Sequence, residues 1–442
     1  MGDLKQQAIK IFLRTLDAID VSGVFDRKVR VDGDTLIVGG SRIDLGKYRE
    51  VVAVGLGKAS VKMAQALVAS LGSRVSRGVA VTGEEGVVSP GPQIEVVVGG
   101  HPVPTSGSLV AGEKLLEMVE SCEPSSLIIF LISGGGSALA ESLVSPNVSL
   151  EDLRDLNQIL ITCGANIYEI NTIRKRISRI KGGGLGRCAV ERGAEFIALY
   201  ISDVNAGDLR SIASNPILPE AHGREAALMV VSKYELSGKL PASVIEVLEG
   251  EENPGNSRPA ESSLLGTELL CDNSVAVQAA ARIASEFGFW PMICEGLSEG
   301  DYKDIANAMI ERFFDLRRRF SDRKVCLISG GEVSCVVTGK GVGGRNQEFV
   351  LYSAAKLAEQ WSGTDPIAVL SCGTDGIDGN SPAAGAVSDQ RCIVEAIRNG
   401  IDPGRYLREN DSFSFFSKTG GLVNTGPTGT NVRDIRIMLA GS

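Results

Sequence analysis

Histidine is nearly missing from this chain of 442 residues, in which only His101 and His222 occur. Most catalytic zinc sites and the Ser/His/Asp hydrolases depend on an imidazole, so both chemistries are disfavoured. Catalytic and binding roles should therefore fall to lysine, arginine, aspartate, serine and the glycine backbone.

Paired cysteine motifs are also missing. The nine cysteines contain no CxxC pair and no short metal-ligand spacing. This pattern predicts small buried thiols in a reducing compartment, and we expect a cytoplasmic protein.

No apolar run is long enough to span a membrane, because polar residues interrupt each one. Near the N-terminus, Ile9, Phe12, Leu13, Leu16 and Ile19 follow helical spacing, which predicts an amphipathic helix rather than a signal peptide or an anchor. The net charge of -9 repels a polyanionic backbone. Neither a membrane nor a nucleic acid is an expected partner.

Glycine, in contrast, is abundant, with 53 residues that gather behind apolar, β-branched runs. Such runs occupy residues 51–54, 127–132, 196–201, 324–328 and 367–370. They predict strands buried on both faces, and hence an α/β fold with mostly parallel or mixed sheets flanked by helices. Ligands of such sheets bind beyond the carboxyl ends of the strands, so the loops after these runs are candidate site loops.

The length favours two sizeable domains, with three as the alternative, at about 150 residues per domain. The polar segment 249–263 contains Pro254 and Pro259 and lacks large apolar residues, which predicts a linker or an exposed loop. We therefore expect one α/β domain at 1–248 and another at 264–442, with the active site in the cleft between them.

The first candidate site follows residues 51–54. Gly55, Gly57 and Lys58 form a glycine turn with a lysine, but the segment matches neither a Walker A loop nor the dinucleotide fingerprint. Free backbone N–H groups at a helix start, with the Lys58 charge, predict an anion site. A tight turn with a solvated lysine explains the segment equally well.

The loop 133–137, with sequence SGGGS, suggests that a ligand or another backbone approaches very closely. A phosphate or carboxylate cradle is the sharper interpretation, and a turn crowded by packing is the alternative. His101, between two glycines and two prolines, could bond a substrate oxygen or be a structural histidine. Arg174 and Lys181 add positive charge beside further glycines, and solvated basic residues are their alternative.

Aspartates are the remaining candidates for a catalytic base and for metal ligands. Asp203 follows the strand predicted at 196–201 and could accept a hydroxyl proton or bind magnesium, with a turn aspartate as the alternative. In the C-terminal half, Asp375 and Asp378 lie three residues apart among glycines, a spacing that suits magnesium or a set of sugar-like hydroxyls. Arg345 stands in a second glycine-rich loop.

This inventory combines cations, glycine backbone and scattered aspartates, with little for covalent or redox chemistry. Phosphoryl transfer needs positioning, charge neutralisation and a base for the acceptor hydroxyl. A kinase therefore fits the residues best.

Nine ordered motifs resemble the class II glycerate kinases, or glycerate 2-kinases, whose C-terminal half is the domain named MOFRL. The resemblance covers nearly the whole chain, through residues 57–59, 100–104, 132–137, 181–184, 202–204, 329–332, 343–348, 373–379 and 428–431. It implies ATP- and magnesium-dependent phosphorylation of D-glycerate, giving ADP and, through the 2-hydroxyl, 2-phosphoglycerate. A homodimer is compatible with the sequence, which does not fix the oligomeric state.

The resemblance also implies roles for individual residues. Lys58 and Arg345 would neutralise the transferring phosphoryl group, Asp203 or Asp375 would be the base or a magnesium ligand, and Asp378 would be a second metal ligand. The remaining residues expected to bind substrate or nucleotide are Gly55, Gly57, His101, Ser133, Gly134, Gly135, Gly136, Ser137, Arg174, Lys181, Glu332, Asn346, Thr374 and Thr430.

Two segments depart from the family pattern, namely Asn215, where glycine is usual, and residues 185–187. Both departures concern substrate selectivity rather than reaction type. Two alternative functions remain: a hydroxypyruvate or tartronate-semialdehyde reductase, and a non-catalytic protein that binds acidic metabolites. The first would need a nicotinamide pocket, which the missing dinucleotide fingerprint disfavours.

Overall fold

The computed structural model describes residues 3–204, 208–218, 223–251, 263–361 and 365–441. The chain divides into two compact units, residues 21–270 and residues 1–20 with 271–442, called the N-terminal and C-terminal units below. These units differ from the predicted domains at the N-terminus, where residues 1–20 belong with the C-terminal unit. Residues 252–262 of the predicted linker, and His222, lie outside the described residues.

The N-terminal unit carries two sheets and a set of helices. The chain begins with α1 (Leu4–Ala18) of the other unit and continues through α2 (Val21–Lys28), β1 (Val29–Asp32), β2 (Thr35–Val38), β3 (Ser41–Asp44), β4 (Glu50–Leu56), α3 (Ser60–Leu71), β5 (Val75–Thr82), β6 (Ile94–Val98), α4 (Ser106–Glu120), β7 (Ser126–Ser133), α5 (Gly136–Leu139), α6 (Leu150–Thr162), α7 (Ile167–Arg176), α8 (Gly184–Glu191), β8 (Glu195–Ile201), α9 (Arg224–Lys233), α10 (Ala242–Glu249) and β9 (Leu264–Cys271).

The larger sheet of this unit has the order β6-β5-β4-β7-β8-β9, in which the five strands from β6 to β8 pair parallel to one another. This confirms the three predicted strands of the N-terminal half. Leu56 pairs with Ile132, and Ser133 pairs with Ile201. Because β4, β7 and β8 end in register, the loops that follow them lie side by side at one edge of the sheet.

Apolar side chains fix this arrangement on both faces of the sheet. Phe130 of β7 and Phe196 of β8 are fully buried and meet edge to face, with ring centroids 5.5 Å apart. Helices α6, α7, α9 and α10 form a separate apolar cluster, and β1, β2 and β3 form a small antiparallel sheet. The site loops therefore rest on a closely packed base.

The C-terminal unit contains a mixed sheet with helices. After α1 its elements are α11 (Asn273–Glu286), β10 (Trp290–Ile293), β11 (Glu299–Asp301), α12 (Tyr302–Arg319), β12 (Val325–Ser334), α13 (Arg345–Gln360), β13 (Ile367–Gly373), β14 (Gly385–Asp389), α14 (Gln390–Arg398), α15 (Pro403–Arg408), α16 (Ser412–Thr419), β15 (Leu422–Val423) and β16 (Asp434–Ala440).

Strand β16 lies at the centre of this sheet, whose order is β10-β12-β16-β13-β14-β15, with β11 paired to β12. The predicted strands β12 and β13 are confirmed. They are not neighbours, since β16 runs antiparallel between them. Gly331 of β12 and Gly373 at the end of β13 consequently both pair with Asp434, the first residue of β16.

The N-terminal helix α1 packs on α11 and the same sheet. Ala8, Ile11, Phe12 and Thr15 are its buried residues, whereas Leu13 is 41% exposed. The helix is amphipathic as predicted, but the buried face is turned by about one residue from the predicted stripe. Among the described residues, no helix combines the length and the apolar character that crossing a bilayer requires.

Candidate active site

The loops after β4 and β7 are pressed against each other in the N-terminal unit. The Lys58 N–H donates to the Gly134 carbonyl at 2.9 Å, and the Ala59 N–H donates to Ser133 Oγ at 3.0 Å. A Cβ on Gly57, whose φ is 124°, would lie 2.3 Å from Ser133 Oγ. Only glycine allows this approach.

The prediction of free backbone N–H groups at the first turn is wrong. The N–H of Gly57 reaches the Val81 carbonyl at 3.3 Å, and that of Ser60 reaches the Gly57 carbonyl at 3.1 Å. Together with Lys58 and Ala59, these contacts satisfy four consecutive N–H groups inside the protein. Gly55 lies within β4 and packs against Ala80, so the turn offers the Lys58 side chain rather than its backbone.

The free N–H groups are found in the second loop instead. Within the described ranges, no group accepts from the N–H of Gly134, Gly135, Gly136 or Ser137. Gly135 has a φ of 81° and precedes the one-turn helix α5. Successive N–H groups around a left-handed residue form a concave nest that can bind anions, and the cradle for a phosphate or carboxylate stays a prediction.

Three predicted side chains converge on this loop. A Cβ on Gly134 would lie 1.7 Å from Asp203 Oδ2, so the carboxylate rests directly on the loop. A Cβ on Gly135 would lie 3.0 Å from Lys58 Cγ and 3.3 Å from His101 Nε2. Sequence positions 58, 134 and 203 are thus brought together, as their placement at strand ends predicts, and His101 joins them from the loop after β6. We call Lys58, His101, the loop 133–137 and Asp203 the lysine site.

The lysine site contains one cation, Lys58, and one carboxylate, Asp203. The Lys58 side chain is half-buried, and no described residue forms an ion pair or hydrogen bond with its ammonium group. Partial burial lowers the pKa of His101, and the neighbouring Lys58 charge lowers it further. The imidazole is therefore neutral at pH 7 and able to accept a proton or a hydrogen bond. Asp203 follows Ser202, whose hydroxyl accepts the Val204 N–H at 3.2 Å and fixes the turn.

A left-handed turn at residues 213–215 contacts the loop 133–137. Ala213, Ser214 and Asn215 have φ values of 51°, 57° and 53° and are all buried. Ser214 Oγ lies 2.6 Å from Ser137 Oγ and donates to Asn171 Oδ1 at 2.9 Å. Three consecutive non-glycine residues with positive φ are costly and persist only where the surroundings enforce them.

The turn also explains the Asn215 departure, because asparagine tolerates the left-handed region better than most residues. Its amide further bonds Leu218 in both directions, at 2.7 and 2.8 Å. The turn gave no sequence signal beyond this asparagine.

Lys181 is placed in the interior. Its ammonium pairs with Glu141, which also accepts from the Ser178 hydroxyl, and the Lys181 side chain is 2% exposed. Burial lowers the pKa of Lys181 although Glu141 opposes the shift. This placement favours a structural role. Arg174 is half-buried and donates to Asn157 Oδ1 at 2.7 Å. The predicted ligand roles of both residues stay predictions.

The C-terminal unit contains a cavity of about 750 Å³. Residues of β11, the end of β12, the glycine-rich loop 341–344 and α13 line it, among them Glu299, Glu332, Arg345, Glu348 and Arg433. Two predicted residues, Glu332 and Arg345, therefore share one cavity, which we call the arginine cavity. Its volume is in the range of sites for drug-sized ligands.

Arg345, the first residue of α13, is held by two carboxylates. Its Nε and Nη2 donate to Asp434 at 2.7 and 2.9 Å, and its Nη1 lies 2.9 Å from Glu332 Oε1. Burial alone would lower the pKa of Arg345, but the Asp434 carboxylate raises it above the usual value. The guanidinium is therefore a permanent cation with a fixed orientation.

Asp378 caps the start of α13. Its Oδ1 accepts from the N–H and side-chain amide of Asn346, and its Oδ2 accepts from the same two groups of Gln347, at 2.9 to 3.1 Å. Burial nevertheless raises the pKa of Asp378 to about 6. All four lone pairs of the carboxylate are used, and Asn346 is fully buried behind it. This geometry disfavours both as ligand-binding residues, and their predicted roles stay untested.

The other C-terminal predictions fall in two interlocked loops. Thr374 Oγ1 donates to the Arg433 carbonyl at 2.7 Å and accepts from the Val432 N–H at 2.9 Å. Thr430 is buried beside Thr428. Asp375 is half-exposed, and its Oδ1 accepts from the Ile377 N–H at 3.1 Å. The threonines thus shape the loops, and Asp375 faces solvent in part.

Two acidic residues were missed, Glu348 in the lining of the arginine cavity and Asp434, which contacts Arg345 from the interior. Asp434 begins β16, and the apolar run that follows it was a strand signal that could have marked the position. Glu348 lines the cavity and is 2% exposed, and burial raises its pKa to about 7. Sequence spacing gives no signal for that burial.

Comparison with known families gives two matches. The profile described as a domain of unknown function (DUF4147) matches residues 7–249, and that of the MOFRL family matches residues 325–434. The first covers more than half of the chain and contains the lysine site. The second contains Glu332, Arg345 and Asp434.

Curated relatives extend along nearly the whole chain. The D-glycerate 2-kinase of Thermotoga maritima is 35% identical over 439 residues, which are 99% of this chain and 98% of the relative. A putative hydroxypyruvate reductase of Agrobacterium vitis is 38% identical over 397 residues, covering 88% of this chain and 87% of the relative. The crystal structure of glycerate kinase from Thermotoga maritima matches with a TM-score of 0.83 and 33% identity, over 99% of both chains.

Proposed function

The chain belongs to the family of class II glycerate kinases, and on that premise we propose that it transfers the γ-phosphoryl group of ATP to the 2-hydroxyl of D-glycerate. The products are 2-phosphoglycerate and ADP. The observation that carries the proposal is the lysine site, where the Lys58 ammonium stands beside a loop whose N–H groups have no acceptor among the described residues. Such a site binds phosphate or carboxylate oxygens.

In this reaction the 2-hydroxyl oxygen of glycerate attacks the γ-phosphorus, and the bond from that phosphorus to the β–γ bridging oxygen breaks. The hydroxyl proton leaves to a base. Asp203 is the proposed base. Neutral His101 lies against the loop 133–137, where it would orient a substrate oxygen. Lys58 and the N–H groups of residues 134–137 offset the negative charge of the reacting groups, the main contribution a protein makes to phosphoryl transfer.

The arginine cavity supplies the second proposed cation. Arg345 is oriented by Asp434 and remains charged at any working pH. We assign it, like Lys58, to neutralising the phosphoryl group during transfer, and Glu332 to substrate or nucleotide binding.

Magnesium is proposed as the ion that accompanies ATP. In the described residues no group of three or more His, Cys, Asp or Glu is arranged to hold a metal. Mg²⁺ is commonly held by one or two carboxylates together with substrate phosphates, so this does not conflict with the ion. Half-exposed Asp375 fits better than Asp378, whose four lone pairs are already used. When bound, the ion would neutralise charge on the phosphates.

A reductase is the second candidate, because the Agrobacterium vitis relative is named a putative hydroxypyruvate reductase. The turn after β4 argues against it. A dinucleotide pyrophosphate would use the N–H groups at the helix start, and here Gly134 and Ser133 already accept from Lys58 and Ala59. We expect NADH absorbance to stay constant when the protein is mixed with NADH and hydroxypyruvate. A steady loss of absorbance would favour the reductase.

We place the enzyme in the cytoplasm, because all nine cysteines are free thiols and reducing compartments preserve such thiols. Glycerate and ATP are its proposed small-molecule partners, and a homodimer stays a prediction.

The test of the lysine site is Lys58→Ala, with release of ADP in the presence of D-glycerate as the readout. We expect kcat to fall at least about 100-fold, as for loss of one group that stabilises a developing anion. The free energy of unfolding should change by no more than about 0.5 kcal/mol, as for a partly exposed lysine with no partner. Lys114→Ala is the control, since Lys114 is exposed on α4 and forms only surface ion pairs. Normal turnover of Lys58→Ala would contradict the proposed role.

A further inference from the structure

The two carboxylates on Arg345 differ sharply in their surroundings. The Asp434 side chain is 0% exposed and receives two parallel hydrogen bonds from the guanidinium. The Glu332 side chain is 44% exposed and meets Arg345 through a single nitrogen at 2.9 Å. A buried bidentate pair is difficult to break, whereas a partly exposed single contact exchanges readily with solvent or ligand.

The backbone of Asp434 is fixed on both sides. In the sheet register, Asp434 pairs with Gly331 of β12 and with Gly373 of β13. It therefore stands between the two strands that lead into the glycine-rich loops. A carboxylate held this way can set the position of the Arg345 guanidinium with little freedom.

Glu332 lies between two cations. Its Oε1 is 2.9 Å from Arg345 Nη1, and its Oε2 is 3.9 Å from Arg433 Nε. Arg433 also meets Glu299 through Nη1 at 2.9 Å. The carboxylates of Asp434, Glu332 and Glu299 contact these two guanidiniums, and Glu348 also lines the cavity, so both cations have counterions before any ligand enters.

An anion that binds Arg345 through the N–H groups now paired with carboxylates has to replace Asp434 or Glu332. The Nη1 face is the candidate, because Glu332 is exposed there and lines the cavity with Arg345 and Arg433. A phosphate oxygen placed at this position would accept from the same donors that Glu332 now occupies.

We propose that the two carboxylates have opposite roles: Asp434 is a positioning residue that holds Arg345, and Glu332 is an exchangeable counterion that a phosphate or carboxylate group displaces. The inference rests on the proposed function for the identity of the anion that displaces Glu332. It departs from the assignment of Glu332 as a substrate-binding residue, since a counterion opposes anion binding.

The test compares Glu332→Gln, Asp434→Asn and Glu359→Gln in the full chain. Glu359 is the control, because it lies on the same helix α13 and pairs with Lys356 at 2.9 Å outside the cavity. Binding of inorganic pyrophosphate is measured by calorimetry at low ionic strength, and kcat and KM are measured with ATP and D-glycerate.

We expect Glu332→Gln to bind pyrophosphate about 3- to 10-fold more tightly than the parent, because removing a like charge beside the anion removes repulsion. The gain should shrink at high salt. Asp434→Asn should lose about 100-fold in kcat, as for a misplaced catalytic group, with KM values changed less than about 3-fold. Glu359→Gln should match the parent in every measurement.

Weaker pyrophosphate binding by Glu332→Gln would overturn the inference and support Glu332 as a ligand-binding residue. An Asp434→Asn enzyme with kcat within about 3-fold of the parent would overturn the positioning role. If Asp434→Asn does not fold, because it removes the bidentate carboxylate partner of half-buried Arg345, the Glu332→Gln result decides the inference. Pyrophosphate binding is scored separately from turnover, so a parent that forms no phosphoglycerate would refute the proposed reaction and leave this comparison intact.

Discussion

At the scale of single residues, Lys58 and Arg345 stand in opposite electrostatic settings. Lys58 has no ion-pair partner in the part of the chain that the structure describes, and its charge adds to burial in lowering the pKa of His101. Arg345 is balanced by Asp434 and Glu332. The lysine is thus ready for an anion, whereas the arginine must first exchange a carboxylate.

Glu348 offers a prediction of pH-dependent stability. Burial raises its pKa from 4.5 to about 7. Below pH 4.5 the Glu348 carboxyl is protonated in both the folded and the unfolded protein. Between pH 4.5 and 7 it ionises in the unfolded chain but stays protonated in the folded protein. The free energy of unfolding therefore falls as the pH rises through this range. Glu348→Gln should remove this loss, which amounts to roughly 3 kcal/mol at pH 8 for a shift of this size.

Urea unfolding of the parent and of Glu348→Gln at pH 4.5 and pH 8 measures this difference. The variant should gain stability relative to the parent only at the higher pH. An equal difference at both pH values would show that Glu348 is not protonated in the folded state near neutrality.

At the scale of elements, the ends of β4, β7 and β8 bring the lysine site together. The parallel register sets their loops side by side, and the left-handed turn at 213–215 supports the loop 133–137 through the hydroxyls of Ser214 and Ser137. The site is therefore built from backbone geometry as much as from side chains.

Gly134→Ala tests this geometry. Its Cβ would lie 1.7 Å from Asp203 Oδ2, so the carboxylate must move away from the loop. We expect kcat to fall at least about 100-fold, as for displacement of a catalytic group by an ångström. The control is Gly238→Ala, because no atom lies within 4 Å of the Cβ position there. Equal activity of the two variants would mean that Asp203 is not needed where the structure places it.

Much of the lysine site could be predicted from the sequence, because Lys58, His101, the loop 133–137 and Asp203 all follow strand signals or glycine clusters. The partners of polar groups could not. Lys181 looked like a ligand residue from its charge and neighbouring glycines, but Glu141, 40 residues earlier, pairs with it in the interior. Spacing along the chain does not reveal such tertiary contacts.

At the scale of the whole molecule, five strands were predicted from apolar runs and all five are present. Apolar runs do not reveal sheet order, so the antiparallel position of β16 between β12 and β13 could not be predicted. Helix α1 was predicted as an amphipathic helix, but helical periodicity could not indicate that it packs with the C-terminal unit.

Phe12→Ala tests the placement of α1. Phe12 is 0% exposed, so its removal should cost about 3 to 5 kcal/mol of unfolding free energy. Leu13→Ala, at the adjacent exposed position, should cost about 0.5 kcal/mol or less. Tryptophan fluorescence reports on the unit that contains α1, because the only two tryptophans of the chain, Trp290 and Trp361, belong to the C-terminal unit. An unchanged fluorescence transition in Phe12→Ala would contradict the packing of α1 on that unit.

The most direct test of the proposed function is phosphorus NMR of the protein incubated with ATP, magnesium and D-glycerate, since it reports turnover and the phosphorylated position together. The proposed reaction predicts a 2-phosphoglycerate signal that grows as ATP is converted to ADP and that does not grow with Lys58→Ala. A 3-phosphoglycerate signal would contradict the assigned hydroxyl, and the absence of any transfer to glycerate would contradict the proposed reaction itself.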